Sequence, residues 1–380
     1  MGLLLFVVVS CKQRNTDPFI DAAPLYAPMY AQGFTIKEQG DLRILYIKKS
    51  WQGNDPSSFT YLLYPRKDSL LYGGKEGCIP YPIKNAVCLS TTHIAYLATL
   101  NQEDCISGVS GAPYISHPKI REAISQKSII DVGFEAALNY ETLFSLQPDV
   151  IFAYGIAGES TAFLEPLARL GLQVVYVGDY LEAHPLGKAE YMIAFSAFFE
   201  THVMEQASIQ FQSICHQYNA LKERIQHDRP LAKVLINAPF KDSWYIPGGE
   251  NYMAQLLGDA GALILGSKKG VKESHVISLE QAYLFALEAD YWLHPNAFRS
   301  LETLGGSDAR FTRIPAFKAQ RVYNNTRRYT PQGGSDFWES GVTEPHIILA
   351  DLIHILHPEW LPEHPLIYYE QLPYSAFTQN

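Results

Sequence analysis

Charge is scarce in this chain. Asp, Glu, Lys and Arg make up 18% of the 380 residues, below the roughly 25% of an average globular protein. Thirty Lys and Arg against 39 Asp and Glu leave a net charge of -9. No segment gathers the cations into a basic face, which argues against nucleic-acid binding. Enzyme signatures are missing as well: there is no GxGxxG, no P-loop, no GxSxG and no HExxH, so the nucleotide, acyl-transfer and zinc-protease chemistries that use them have no anchor. Cysteines are few, and Cys78, Cys88, Cys105 and Cys215 match no zinc spacing. Cys88 and Cys105 lie in apolar strand-like runs and Cys215 in a helical one, so they read as small buried apolar residues. An oxidising compartment would permit a disulfide, but no pair is singled out.

Glycine and proline are absent from 188–229, with Gly187 just before and Pro230 just after. Apolar residues recur there at helical spacing: Tyr191, Phe195, Phe198, then Ala207, Phe211, Ile214, Tyr218, Leu221 and Ile225. The spacing predicts one continuous helix of roughly 60 Å at ~1.5 Å per residue. On either side the pattern alternates between short apolar strands and helices, which implies parallel sheets covered on both faces. Before it come strands at 86–90, 105–109, 128–132, 149–153 and 173–177, with helices between them. After it come strands at 232–237, 290–293 and 321–324, with helices near 251–257, 279–287 and 345–356. The expected fold class is α/β: two Rossmann-like lobes joined by one long helix.

The first residues differ in kind. The run GLLLFVVV at 2–9 is too short to span a bilayer and reads as the hydrophobic part of a secretory signal. VVVSC resembles a lipobox, with Cys11 as the lipid-bearing residue. The expected organisation is a signal over 1–11, a polar tether over 12–32 and a small antiparallel β preface over 33–82. An N-terminal lobe over 83–184, the linking helix over 185–229, a C-terminal lobe over 230–360 and a tail over 361–380 follow. In the preface FTIKEQ, LRILYIKKSW and FTYLLYP alternate as two or three strands, and Trp51 sits at the edge of a turn.

Ligands of open parallel sheets bind beyond the carboxyl ends of the strands. Thr91 and Thr92 follow the first strand, where they serve equally well as helix caps. Ser110 to Tyr114, then Gly133, Phe134 and Glu135, and then Tyr154 and Gly155 follow the next three strands. Tyr114 and Tyr154 suit a wide, half-wet cleft, each with an aromatic body and a polar tip. In the second lobe Trp244, Tyr245 and Tyr252 surround Pro247-Gly248-Gly249. The glycines would let backbone approach a ligand, or form an ordinary turn with aromatics beneath it. Tyr154 and Trp244 are expected on opposite walls of one pocket. Arg327 and Arg328 would grip an anionic chelate, or form a solvated turn paired with Asp336, Trp338 or Glu339. His346, His354 and His357 share the last helix, but no set of His and carboxylates stands out as a metal site.

Over residues 80–358 the chain resembles the helix-linked substrate-binding proteins of ABC importers for ferric siderophores, haem and cobalamin. AVCLSTTHIAYLATLN is similar to that family's opening strand and helix, and IIDVGFEAALNYETLFSLQPDVIFAYG to its most recognisable segment. HPLGKAEYMIAFSAFF and GGSDFWESGVTEPHIILADLIHILHPEW resemble a membrane-anchored, β-prefaced branch. The resemblance implies a monomeric receptor, lipid-anchored and facing the periplasm. It would pass an iron chelate, or alternatively cobalamin or haem, to a permease dimer of the inner membrane, with no catalysis and no cofactor of its own. It also implies that Glu141 and Glu280, each in the first turn of a helix, dock onto permease arginines. The rival from another class is a two-lobed glycosyltransferase or chelatase, against which the signal-like start and helical linker speak.

Overall fold

The preface residues that alternate do so because one face of their sheet is buried. In the computed structural model, which describes residues 22–48, 58–134, 137–155, 164–225, 230–241 and 243–375, that sheet has five strands. They are β1 (Ala23–Tyr26), β2 (Phe34–Gln39), β3 (Leu42–Ile47), β4 (Phe59–Pro65) and, after the short helix α1 (Ser69–Tyr72), β5 (Cys78–Tyr81). The first four pair antiparallel and β5 joins β4 in parallel. The three alternating segments are β2, β3 and β4, as expected; β1 and β5 extend the sheet on either side, and β1 lies inside the stretch expected to be tether. Cys11, the signal-like run, Trp51 and Glu135 lie outside the described residues.

The N-terminal lobe runs β6 (Ala86–Cys88), α2 (Thr91–Thr99), β7 (Ile106–Val109), α3 (Pro118–Ser125), β8 (Ile130–Asp131), α4 (Tyr140–Leu146), β9 (Val150–Ala153), α5 (Glu165–Arg169) and β10 (Val174–Tyr176). Its strands pair in the order β10-β9-β6-β7-β8, all parallel. Every residue of β6 and β9 is buried, as strands covered on both faces must be. Side-chain caps start the helices where the sequence signals them: Ser90 Oγ accepts from Thr92 N, and Asn139 Oδ1 from Thr142 N.

The stretch expected to be one helix is two. α6 (Pro185–Ser196) is buried at every residue but Lys188, while α7 (Thr201–Lys222) is buried on one face only. Between them Glu200 is extended, at φ -65° and ψ 156°. The cause lies in the preface. The guanidinium of Arg43, itself buried, donates to the carbonyls of Ala197 and Phe199 and to Thr201 Oγ1, and Ile83 N donates to Phe198 O. Those carbonyls therefore have partners without a following helical turn. α6 is a core helix touching α2, α7 and β2.

The C-terminal lobe comprises β11 (Ala232–Ile236), β12 (Trp244–Ile246), α8 (Tyr252–Asp259), β13 (Ala262–Ile264), β14 (His275–Ile277), α9 (Leu279–Ala286), β15 (Tyr291–Leu293), α10 (Leu301–Ser307), α11 (Pro315–Lys318), β16 (Val322–Asn324), α12 (Pro345–Leu356) and β17 (Glu370–Gln371). The main sheet is ordered β13-β11-β15-β16-β17, and β12 pairs with β14 separately. β17 runs antiparallel to β16, so much of the expected tail belongs to the lobe. One apolar cluster extends from Phe34 through Tyr96, Phe195 and Phe211 to Trp292. It joins preface, both lobes and both central helices, which leaves room for small movements only. Among the described residues no helix is long and apolar enough to cross a membrane.

Candidate solute-binding cleft

The carboxyl ends of β6 to β9 open onto one depression of about 360 Å3, lined by Leu89, Ser90, Thr91, Ser110, Gly111, Tyr114, Phe134 and Tyr154. Glycine suits position 111: its φ is 68°, and a Cβ would crowd the Phe134 ring at 3.1 Å. Asp131 fixes both flanking turns, accepting from Ala112 N and Gly133 N. Tyr114 and Phe134 face each other with ring centroids 6.3 Å apart, 51% and 45% exposed. Large aromatics left that open over a glycine floor form a stacking surface. Thr91 and Tyr154 stand on this wall as expected. Thr92 serves the helix: its N–H and hydroxyl are both engaged with Ser90.

A second cavity, of about 420 Å3, lies between the lobes. Gly178 and Tyr180 to Ala183, beyond β10, line one side, and Glu250, Asn251, Tyr252 and Lys272 to Ser274 the other; Gln32 and Gly33 of the preface complete it. Tyr180, on its wall, donates to the carbonyl of Gly155, next to Tyr154. Tyr252 is held by the Lys188 ammonium, 4.7 Å from its ring centroid, and by the edge of Trp338 at 6.3 Å. Burial lowers the Lys188 pKa, while Asp179 and Glu182 nearby raise it.

Several expected site residues sit elsewhere. Trp244 is 1% exposed; its indole N–H donates to Ile236 O, and its ring packs on Trp292 and Phe311. It is a core residue, and does not face Tyr154 across a pocket. Tyr245, next to it on β12, is exposed, as strand alternation requires, but lines neither cavity. Gly248 and Gly249 do permit a close approach, but to the chain itself: a Cβ on Gly248 would lie 2.3 Å from Val271 O. Arg328 pairs with Asp336 at 2.9 Å and lies over the Tyr368 ring. Arg327 is exposed, and neither arginine lines a described cavity. His354 bonds Leu361 O, His357 stacks on Trp360, and Asp351 of the last helix pairs with His364, so these contacts hold the segment that follows; His346 takes no part in them. Cys78, Cys88, Cys105 and Cys215 are free thiols. Glu141 and Glu280 are both exposed in the first turns of α4 and α9; the Glu280 carboxyl is held below its usual range by its own N–H and Ser278.

The lobes also touch directly beside the stacking wall. Gly334 presses on the 113–114 loop, where a Cβ would lie 2.1 Å from Tyr114 O, and Thr330 Oγ1 donates to Pro113 O. Glu339, 2% exposed, accepts from Ser116 N at 2.6 Å and His117 N at 2.8 Å at the start of α3. Burial pushes its carboxyl up to about 7 despite those two donors.

The family model described as a periplasmic binding protein matches residues 86–330. The chain belongs to that family. The periplasmic binding proteins of ABC transporters capture solutes, and these two lobes carry the same layout. The match begins at β6, so the preface lies outside it. An uncharacterized lipoprotein of Methanocaldococcus jannaschii is 26% identical over 292 residues, covering 74% of this chain and 67% of its own. A periplasmic binding protein of Veillonella parvula superposes with a TM-score of 0.58 at 15% identity, over 81% of this chain and 97% of that one. The triscatecholate siderophore binding protein of Bacillus subtilis, complexed with Ferri-Bacillibactin, superposes at 0.55 with 17% identity, over 74% and 95%.

Sequence reasoning missed Tyr180 and the preface pair Gln32-Gly33. The strand-end rule would have reached Gly178 to Ala183 had it been followed one strand further. Gln32 had no such signal.

Proposed function

We propose that the protein is the membrane-anchored receptor of an ABC importer that takes an iron chelate between its two lobes and presents it to a permease. The observation that carries this reading is the exposed Tyr114–Phe134 pair, with Tyr154, at the strand ends of a covered parallel sheet. A flat or ring-rich solute stacking there loses water from both faces, and a preformed wall needs little ordering on binding. On this reading the solute leaves as it entered.

Cobalamin is the second reading. The ionic groups lining the inter-lobe cavity are Glu182, Glu250 and Glu273 against Lys272, a balance that suits an amide-bearing solute better than a polyanionic catecholate. The test is intrinsic-fluorescence titration with a ferric triscatecholate, a ferric hydroxamate, haemin and cyanocobalamin. Saturable quenching at micromolar concentration or below by one of them supports the receptor reading and selects its solute. A flat response to all four rejects it.

A further inference from the structure

Five consecutive backbone N–H groups of the preface, Met29 to Gly33, point at two carboxylates. Met29 donates to Glu190 Oε1 at 2.7 Å, Tyr30 and Ala31 to Glu190 Oε2 at 2.8 and 2.7 Å, and Gln32 and Gly33 to Glu182 Oε1 at 3.0 and 2.8 Å. Tyr26 Oη adds a bond to Glu190. Both glutamates are buried, and N–H bonds to a carboxylate are roughly twice as strong as neutral ones. The Tyr30 ring is wedged on His184 of the α6 cap and Phe211 of α7, at 4.8 and 6.3 Å. Gly187 and Gly33 make the approach possible: a Cβ on Gly187 would meet Tyr30 O at 3.2 Å, and one on Gly33 would meet Tyr191 Oη at 2.2 Å. Residues 29–33 are therefore tied to α6 and to the segment just before it, and are no passing tether.

This fixed loop sets Gln32 and Gly33 on the rim of the 420 Å3 cavity. The Gln32 side chain is exposed there, and among the described residues its amide makes no hydrogen bond; only its backbone N–H is engaged. Opposite it, Glu250 and Glu273 present exposed carboxylates. Glu182 is occupied by the loop, and Asn251 Oδ1 by the Ala254 N–H.

We propose that Gln32 and Gly33, held in place by the 29–33 loop, form a third wall of the solute site in the inter-lobe cavity, with Gln32 a contact residue and Glu182 and Glu190 positioning it. The wall favours a solute whose periphery offers amide, hydroxyl or ammonium donors over one that offers carboxylates or catecholates. The β preface is then part of recognition, and not only a spacer before the lobes. This rests on the solute-receptor reading above.

The experiment measures affinity calorimetrically for the full chain, Gln32→Ala and Gln32→Lys. The probes are cyanocobalamin, ferrioxamine B (which carries a protonated amine), haemin and a ferric triscatecholate. The expected result is binding of one of the first two. Gln32→Ala weakens it about three- to tenfold, as for one lost hydrogen bond. Gln32→Lys weakens ferrioxamine B further, and melting temperatures stay unchanged because the side chain holds nothing in the protein. A bound solute whose affinity is indifferent to both variants removes the third wall and leaves the receptor reading intact. Tightest binding of haemin or the catecholate overturns the donor preference. Failure of all four probes with the unmodified protein rejects the receptor reading itself, and the proposal with it.

Discussion

Two aromatic residues of similar size have opposite fates, and their backbone positions decide it. Trp244 points into the lobe from β12 and finds a carbonyl for its N–H; Tyr114 stands in a loop over a glycine and stays open. Trp244→Ala should cost about 3–5 kcal/mol of stability in urea unfolding, as for a large core truncation, and leave the affinity of the folded protein unchanged. Tyr114→Ala should do the reverse, lowering affinity by ~1–3 kcal/mol with little change in the unfolding midpoint. Glu339 gives a pH signature. Its carboxyl titrates near 7 in the folded protein against 4.5 ordinarily, so between those values the folded state binds more protons than the unfolded one. This group's contribution is therefore fully present below pH 4.5 and lost as pH rises through about 7, a change of at most about 3 kcal/mol. The charges that face it are Asp336 and Arg328. Glu339→Gln should flatten that segment of a stability profile recorded from pH 4.5 to 8; an unchanged slope would show that another group titrates there.

At the scale of elements, local signals were legible and distant ones were not. Ser90, Asn139, Asn251 and Ser278 each cap the helix they precede, and that chemistry reads directly from sequence. The carboxyl ends of the first four parallel strands led to Thr91, Tyr114 and Tyr154 for the same reason. The break between α6 and α7 was not legible: its cause, Arg43, lies 154 residues from Ala197, and the apolar period continues through the gap. Nor was the wedge of Tyr30, which depends on Glu182 and Glu190 in another unit. Arg43→Ala should leave the Ala197 and Phe199 carbonyls without their donor in a buried site, costing about 1–3 kcal/mol. Amide exchange should quicken around 197–203. Lys should not rescue it, because one ammonium cannot fork to carbonyls and a hydroxyl as a guanidinium does.

For the whole molecule, the question is what meets the outside. Glu141 and Glu280 are exposed, one on each lobe. If they face permease arginines, Glu141→Lys with Glu280→Lys should abolish uptake by whole cells and leave solute affinity intact, since like charges would then oppose each other across the contact. Unimpaired uptake would reduce both to helix-end charges worth ~0.3–1 kcal/mol. If Cys11 carries a lipid, Cys11→Ala should move the protein from the membrane fraction to the soluble one, still folded; unchanged membrane association would reject that anchor. The edge of the second sheet is supplied by Glu370 and Gln371, and buried Asp351 takes its N–H partners from Ile367, Tyr368 and Tyr369. A ribosome delivers the chain from the other end, at ~5–20 residues per second. The first lobe has all its strands by residue 176, while the second must wait for residue 371. A product cut short before residue 367 thus carries one complete sheet, a buried carboxylate that has lost its three backbone N–H donors, and an unpaired strand edge, the combination that draws proteases and chaperones. Only a chain translated past residue 371 completes both sheets.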